Sequence, residues 1–291
     1  MKRGAWNKFV KARDHYRLMV EDLCRGLPRL RALQQRLVDG RASGKIAGSS
    51  GPAYTVETPV LYNYALDDVK PGDEISLILV ADNPGRREQA AENRRYLVGP
   101  SGKIAEKFFR DNPALCPDFR KNLIILNKTP IHTPRTAELR ELCRMDGKSL
   151  AAALDESQRA MARLLLEFHA ALSDCRGGPG KTRAGGGSTG GPLRVWIIGY
   201  SEMRKGGIFE AYTKTLRGLY APEGPDETVS GKTAALGAAA AARLRDDILL
   251  FRHFSMNQFT IDLKQQALPG ETLERRLERI GAAYRSRILG W

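Results

Sequence analysis

Cysteine is scarce in this sequence, and the cysteines that it has are isolated. Cys24, Cys116, Cys143 and Cys175 are far apart, and no two of them form a C-x-x-C pair. A zinc knuckle or a disulfide framework needs closely spaced cysteines, so we predict reduced structural thiols. Histidines and acidic residues show no metal-ligand spacing either, and we predict neither a metal site nor a cofactor.

Long apolar runs are also absent. No run reaches the length of a membrane span, and charges interrupt the apolar residues of positions 1–18, unlike the apolar core of a secretory signal. We therefore expect a soluble cytoplasmic protein with no membrane partner. The 291 residues suffice for one large α/β domain with a sizeable core.

Acidic residues are outnumbered, with 33 Asp and Glu against 47 Lys and Arg, a net charge of +14. Residues 1–45 contain 12 basic and 4 acidic residues, which supplies +8 of this excess. Such a charge favours a polyanionic partner, because each neutralised phosphate releases counterions. Charge alone does not separate DNA from RNA or from an anionic membrane.

The chain alternates apolar strand-like runs with helical patterns. We predict strands at residues 75–81, 122–127, 193–200 and 247–254, and helices at 5–38 (broken at Pro28), 135–173 and 270–289. This alternation predicts a three-layer α/β fold with a central four-stranded, mainly parallel sheet flanked by helices. We divide the chain into a basic helical extension and linker, 1–53, and an α/β domain, 54–291, with a flexible glycine-rich loop at 175–192.

Polar residues follow three of the predicted strands. Asp82 and Asn83 follow the first strand, Asn127 ends the second, and His253 stands near the end of the fourth. Parallel strands have their carboxyl ends at one edge of the sheet, where ligands of such folds gather. We therefore expect these residues to lie together.

These segments resemble motifs of the uracil-DNA glycosylase superfamily. VADNPG, ending at Gly85, is similar to the G-M-N-P-G and G-I-N-P-G motifs of the single-strand-selective and mismatch-specific branches. NLIILNKTP resembles the segment that ends in the uracil-reading Asn, and RHFSMNQ resembles the H-P-S motif. RRYLVGPSGK is similar to P-F-V-G-P-A-G of the iron–sulfur branch. The resemblance covers roughly residues 75–260.

The resemblance implies base excision from DNA without a cofactor, by a monomer that extrudes the target nucleotide. Asn83 would hold the attacking water, with Asp82 as an alternative, and Asn127 would match the O4 and N3–H edge of uracil. His253 would stabilise the anion of the leaving base. Tyr96 would stack on that base. The resemblance also places Gly85 at the substrate and residues 256–258 in the minor-groove loop. The implied DNA contacts are Ser101, Lys103, Ser255 and Asn257, with Lys128 and Arg252 as further phosphate contacts.

The motifs depart from the family at several positions. Ala81 replaces the first glycine, and Phe254 replaces the proline of H-P-S, which we expect to alter the turn that presents His253. Four cysteines also match the number of ligands in the iron–sulfur branch, although its N-terminal close pair is missing. Two alternatives stay open: a non-catalytic nucleic-acid-binding protein, or an enzyme of this fold acting on another base or on free nucleosides.

Overall fold

The computed structural model describes residues 1–45, 50–173, 192–221 and 238–291. The predicted glycine-rich loop, apart from residue 192, lies outside these residues, and so does Cys175.

The centre of the fold is a four-stranded sheet in which every pairing is parallel. Its strands are β1 (Leu77–Ala81), β2 (Leu123–Asn127), β3 (Arg194–Ile198) and β4 (Ile248–Phe251), in the order β2-β1-β3-β4. Nearly every strand residue is buried, as expected where helices cover both faces. The predicted parallel sheet is confirmed, although the strands are shorter than predicted.

The described helices are α1 (Arg3–Gly26), α2 (Leu30–Ala42), α3 (Pro100–Asp111), α4 (Glu138–Asp146), α5 (Lys148–Ser173), α6 (Glu210–Leu219), α7 (Ala238–Leu244), α8 (Gln258–Gln265) and α9 (Leu273–Leu289). The break at Pro28 is confirmed, because it lies between α1 and α2. The helical stretch predicted at 135–173 is confirmed from residue 138 onward, but as two helices: Gly147, with a φ of 75°, separates α4 from α5. Glycine accepts this conformation without a Cβ clash, so the chain changes direction there.

Two hydrophobic clusters lie on opposite faces of the sheet. Ile78 and Val80 of β1 belong to the larger cluster, together with residues of α1, α5 and α6. Leu77 and Leu79 belong to the smaller cluster, together with residues of α3, α8 and α9. Because alternate strand residues enter different clusters, the molecule has three layers, with the sheet in the middle.

The N-terminal helices are part of this packing. Phe9 and Tyr16 of α1 are fully buried in the larger cluster, and α1 packs along α5. The boundary at residue 53 stays a prediction, but α1 contributes to the same core as β1. No helix among the described residues combines the length and apolarity needed to cross a membrane.

Candidate functional site

The carboxyl ends of the four strands bring four polar segments to one edge of the sheet. Ala81 and Asn127 are register partners, and the backbone N–H of Lys128 donates to the carbonyls of Ala81 and Asp82 at 2.9 and 3.0 Å. Gly199 N–H donates to the carbonyl of Phe251, which joins the ends of β3 and β4. The predicted gathering of strand ends is therefore confirmed at the level of the backbone.

Asp82 and Lys128 form an ion pair at the centre of this edge. Lys128 Nζ lies 2.5 Å from Asp82 Oδ1 and donates a second hydrogen bond of 2.5 Å to the carbonyl of Ile198. The Lys128 side chain is fully buried, whereas that of Asp82 keeps 14% of its surface exposed. Burial lowers the pKa of the Lys128 ammonium, and the carboxylate of Asp82 opposes that shift. The part of the pair that solvent or a ligand can reach is the carboxylate.

Gly199 makes room for this carboxylate. Its φ is 79°, and a Cβ at this position would lie 2.4 Å from Asp82 Oδ1. Only glycine combines this left-handed conformation with so close an approach. The turn after β3 is thus shaped around the side chain that follows β1.

His253 lies near this ion pair and has a defined hydrogen-bonding state. Its Nδ1 accepts the backbone N–H of Ser255 at 3.0 Å. A backbone amide only donates, so Nδ1 carries no proton and Nε2 carries the ring hydrogen. Burial lowers the pKa of His253, Asp82 raises it and Lys128 lowers it. The ring is therefore neutral at pH 7, with one N–H donor available.

Phe254 has a proline-like backbone conformation in the turn beside His253. Its φ is −68°, within the range to which proline is restricted. Its ring is fully buried, 4.3 Å from that of Phe259 in an aromatic cluster. The buried ring thus anchors a proline-like backbone, and the expectation that phenylalanine in place of proline alters this turn stays a prediction.

Asn127, the last residue of β2, carries an unsatisfied amide. The residue is 2% exposed, and no described group accepts a hydrogen bond from its Nδ2. An unpaired buried donor is destabilising by roughly 1–3 kcal/mol, so proteins rarely retain one without a reason. The Asn127 Nδ2 is therefore a donor of this site that lacks an acceptor among the described residues.

Asn83, in contrast, is hydrogen-bonded at both ends of its amide. Its Nδ2 donates to Thr133 Oγ1 at 2.9 Å, and its Oδ1 accepts from Thr136 Oγ1 at 3.0 Å. Thr136 also lies 3.3 Å from Asp82 Oδ2. Asn83 is thus committed to the loop after β2, and of the two candidates for holding water Asp82 has the freer oxygen.

Gly85 closes the turn after β1 through a buried carboxyl. Its N–H donates to Glu88 Oε2 at 2.5 Å. Burial raises the pKa of Glu88 to about 7, although hydrogen bonds from the backbone of Gly85, Leu97 and Val98 lower it. Glu88 therefore holds together the segments on either side of it.

His132 braces the same turn from the other side. Its Nδ1 donates to the carbonyl of Pro84 at 2.8 Å, and its Nε2 accepts from the Tyr54 hydroxyl at 2.8 Å. Burial lowers the pKa of His132 to about 4, so the ring is neutral. Gln34 of α2 donates to the His132 carbonyl, which ties the N-terminal helices to the site.

Tyr96 is not open to a ligand in this structure. It is 1% exposed, and its hydroxyl donates to the carbonyl of Leu61 and contacts that of Tyr16. Stacking of a base on this ring requires local opening of the segment around it. The stacking role stays a prediction.

The predicted DNA contacts divide into exposed and buried residues. Lys103 and Asn257 are exposed, and Ser101 and Ser255 are partly exposed. The prediction that Lys128 contacts a phosphate is wrong, because its side chain is fully buried in the ion pair with Asp82. Arg252 is exposed but lies 3.3 Å from Asp262, which neutralises part of its charge.

The loop after His253 presents an apolar side chain to solvent. Met256 is 83% exposed, with a φ of 53°, and Asn257 follows with a φ of 60°. Two consecutive non-glycine residues in the left-handed region are uncommon, and such strain clusters at functional sites. Of the predicted loop at 256–258, Met256 and Asn257 form a tight turn, whereas Gln258 already begins α8.

Exposed cations surround this edge. Among the described residues, none of the following forms an ion pair: Arg86, Arg87, Lys103, Arg204 and Lys205. Arg86 and Arg87 directly follow the turn after β1, and Arg204 and Lys205 follow the turn after β3. Their charge is available to an anionic partner.

Sequence reasoning missed several residues of the site. Gly199 had a usable signal, since a glycine directly after a buried strand often marks a close approach. Thr133 and Thr136 follow the second strand, but nothing in their spacing indicates their bonds to Asn83. Lys128 was expected at a phosphate, and its buried ion pair with Asp82 had no signal, because lysine is normally exposed.

The described residues contain no group of three His, Cys, Asp or Glu side chains able to hold a metal. Cys24 is exposed, Cys116 is buried and Cys143 is half-buried. Burial raises the pKa of Cys116 to about 12, so this thiol stays protonated.

Comparison with known proteins returns no relative: no protein-family model, no curated protein and no solved structure matches the chain.

Proposed function

We propose that the protein is a DNA glycosylase that hydrolyses the N-glycosidic bond of uracil or a related deaminated base. The observation that carries this proposal is the buried, unpartnered Nδ2 of Asn127 at the carboxyl edge of the sheet. A base with an oxygen acceptor beside its ring N–H would accept from Nδ2 and donate to Oδ1. Uracil has this pattern, and cytosine has the opposite one.

The state of His253 supports the same reaction. When the N-glycosidic bond breaks, negative charge develops on the leaving base, and a nearby N–H donor stabilises it. Nε2 of His253 supplies such a donor without a net charge on the ring, since Nδ1 is occupied by the Ser255 amide. A neutral donor avoids placing a second cation beside the positive sugar of the transition state.

Asp82 is the group that we assign to the attacking water. Its carboxylate is partly exposed, and its other contacts hold it in place. A carboxylate in this position accepts a proton from water and balances the positive charge that develops on the sugar. Asn83 then serves to shape the loop, because both ends of its amide are already hydrogen-bonded.

The surface around the site suits a nucleic acid. The unpaired cations at the edge, which include Arg86, Arg87 and Lys103, would contact phosphates. The projecting Met256 would enter the base stack when the target nucleotide is extruded. Arg86, Arg87 and Met256 lie on turns that follow β1 and β4, and Lys103 lies in the first turn of α3.

A panel of oligonucleotides tests this proposal. Single- and double-stranded oligonucleotides with one uracil, hypoxanthine or xanthine are incubated with wild-type protein and with Asn127→Asp and His253→Ala, and alkali-labile sites are then counted. We expect abasic sites with at least one base in the wild type, and a loss in both variants. Salt-sensitive binding without any abasic product would instead favour a non-catalytic nucleic-acid-binding protein, and base release from free nucleosides would indicate a nucleosidase.

A further inference from the structure

We propose that Lys128 is the positioning residue of this site: its buried ammonium holds the carboxylate of Asp82 in the one orientation that leaves Oδ2 for water. This inference rests on the proposed function, since it concerns how the same site prepares its water-binding group. The lysine itself has no exposed surface with which to contact DNA or a base.

The geometry of the ammonium leaves little freedom. Nζ donates to Asp82 Oδ1 and to the Ile198 carbonyl, each at 2.5 Å, and the ring of Phe209 lies 5.0 Å away. The Ile198 carbonyl is the end of β3, a rigid part of the fold. The carboxylate is therefore anchored through lysine to the neighbouring strand.

The two carboxylate oxygens have different surroundings as a result. Oδ1 accepts a hydrogen bond from the ammonium and lies nearest the space left by Gly199, where a Cβ would be 2.4 Å from Oδ1 and 3.0 Å from Oδ2. Oδ2 has one weaker contact, 3.3 Å from Thr136 Oγ1. Since an oxygen of a carboxylate accepts more than one hydrogen bond, Oδ2 retains the capacity to hold water.

The charges around Lys128 are nearly balanced. Asp82 and Glu202 raise the pKa of its ammonium against the effect of burial, and His253 lies within electrostatic range of both members of the pair. Glu202 is itself paired with Arg140 at 3.3 Å. Removing the lysine would leave Asp82 as an uncompensated charge beside a neutral histidine.

The pH dependence of excision distinguishes positioning from mere stability. For Lys128→Met we expect kcat to fall about tenfold or more, KM to stay within about twofold, and the acid limb of the pH–rate profile to move to higher pH. Lys128→Arg, which keeps the charge, should recover part of the rate. In the Asp82→Asn background, Lys128→Met should change kcat little, because the group that it positions is gone.

Arg194→Met is the matched control. Arg194 pairs with Asp247 at 3.0 Å, and the side chain of Asp247 is 14% exposed, as is that of Asp82. This pair lies at the opposite end of the sheet. Its loss should lower stability without moving the pH–rate profile.

A measurement without substrate separates this inference from the proposed function. The Lys128 ammonium is followed by nitrogen NMR, with Lys128→Arg for assignment, in wild type and in Asp82→Asn. We expect its titration to move to lower pH by more than about one pH unit in Asp82→Asn, because its counter-charge is lost. A shifted titration in a protein that excises no base would refute the glycosylase proposal and leave the Asp82–Lys128 pairing intact. A titration of the Lys128 ammonium that is unshifted in Asp82→Asn would overturn the positioning role. So would a double variant in which the rate losses of Lys128→Met and Asp82→Asn are additive and the same at every pH.

Discussion

The amide of Ser255 donates to Nδ1 of His253 at 3.0 Å, and this bond decides what the histidine can do. The ring is left with one hydrogen, on Nε2, and protonation of Nδ1 would break the bond. A neutral donor is thus built into the turn, two residues from the ring that it controls.

His253→Ala should slow excision about 10²-fold or more, the effect of losing one donor to the leaving base. Single-turnover kinetics measure this rate. For the wild type, we also expect no loss of His253 function as the pH falls through 6.5, because burial lowers the pKa of this ring below that ordinary value. Two results would contradict this role: a wild-type excision rate that is lost on acidification with a midpoint at or above pH 6.5, or an excision rate that His253→Ala leaves unchanged.

Asn127→Leu should separate stability from activity. The substitution removes a buried donor that has no partner, so we expect the free energy of unfolding to be unchanged or to rise by up to about 1 kcal/mol, with base excision abolished. Urea denaturation and the excision assay provide the two measurements. A large loss of stability would mean that the amide has a structural partner, and our assignment of this donor to the base would then fail.

Gly199→Ala tests the space reserved for Asp82. The new Cβ would meet Asp82 Oδ1 at 2.4 Å, so the carboxylate must move and excision should fall. Gly206→Ala is the control, because Gly206 has a similar φ of 74° but no atom within 4 Å of a Cβ. Both variants should lose roughly 1–2 kcal/mol of stability from backbone strain. Equal activity in the two variants would count against a catalytic carboxylate at position 82.

Glu88 should make stability depend on pH. Its pKa is about 7 in the folded protein and 4.5 as an ordinary side chain, so the folded state binds more protons between these values. Its contribution is present below pH 4.5 and is lost as the pH rises through 7, a change on the order of 3 kcal/mol. In Glu88→Gln this decline should vanish, and denaturation at pH 5, 6 and 8 measures it. As a control, Glu92→Gln at an exposed position should retain the wild-type dependence of unfolding free energy on pH. If Glu88→Gln also retained it, the Glu88 carboxyl would be ionised in the folded protein, contrary to this prediction.

Arg86 and Arg87 should control the salt dependence of DNA binding. Replacing both with Gln should reduce the slope of log K against log salt by about 0.9 for each duplex phosphate that the variant no longer neutralises. Binding titrations at several salt concentrations measure the slope. Arg159→Gln on α5, where Arg159 is paired with Glu156, should leave the slope unchanged. Equal slopes in all three proteins would exclude this edge as the DNA-binding surface.

The sheet and its polar edge could be predicted from sequence because burial on both faces leaves continuous apolar runs. The runs at β1 and β2 are of this kind, and the residues that follow them had to meet at one edge. The helix boundaries were harder to predict from the sequence. The division at Gly147 depends on one backbone conformation, which glycine permits but does not require.

The internal arrangement of the site could not be predicted in the same way. Lys128 is buried because Asp82, 46 residues earlier, and Ile198, 70 residues later, provide its acceptors. Tyr96 is closed because Tyr16 of α1 lies 80 residues away in sequence and contacts its hydroxyl. Such partners are set by tertiary packing, which overrides the usual preference of lysine for the surface.

The most direct test of the glycosylase proposal is mass spectrometry of a uracil-containing oligonucleotide after single-turnover incubation with the protein. We predict free uracil and an intact strand with one abasic site for the wild type, and a strongly reduced yield of both products for Asp82→Asn and Asn127→Asp. If wild-type protein binds the oligonucleotide and returns it with its uracil, and with hypoxanthine and xanthine equally retained, then Asp82, Asn127 and His253 do not form a base-excision site.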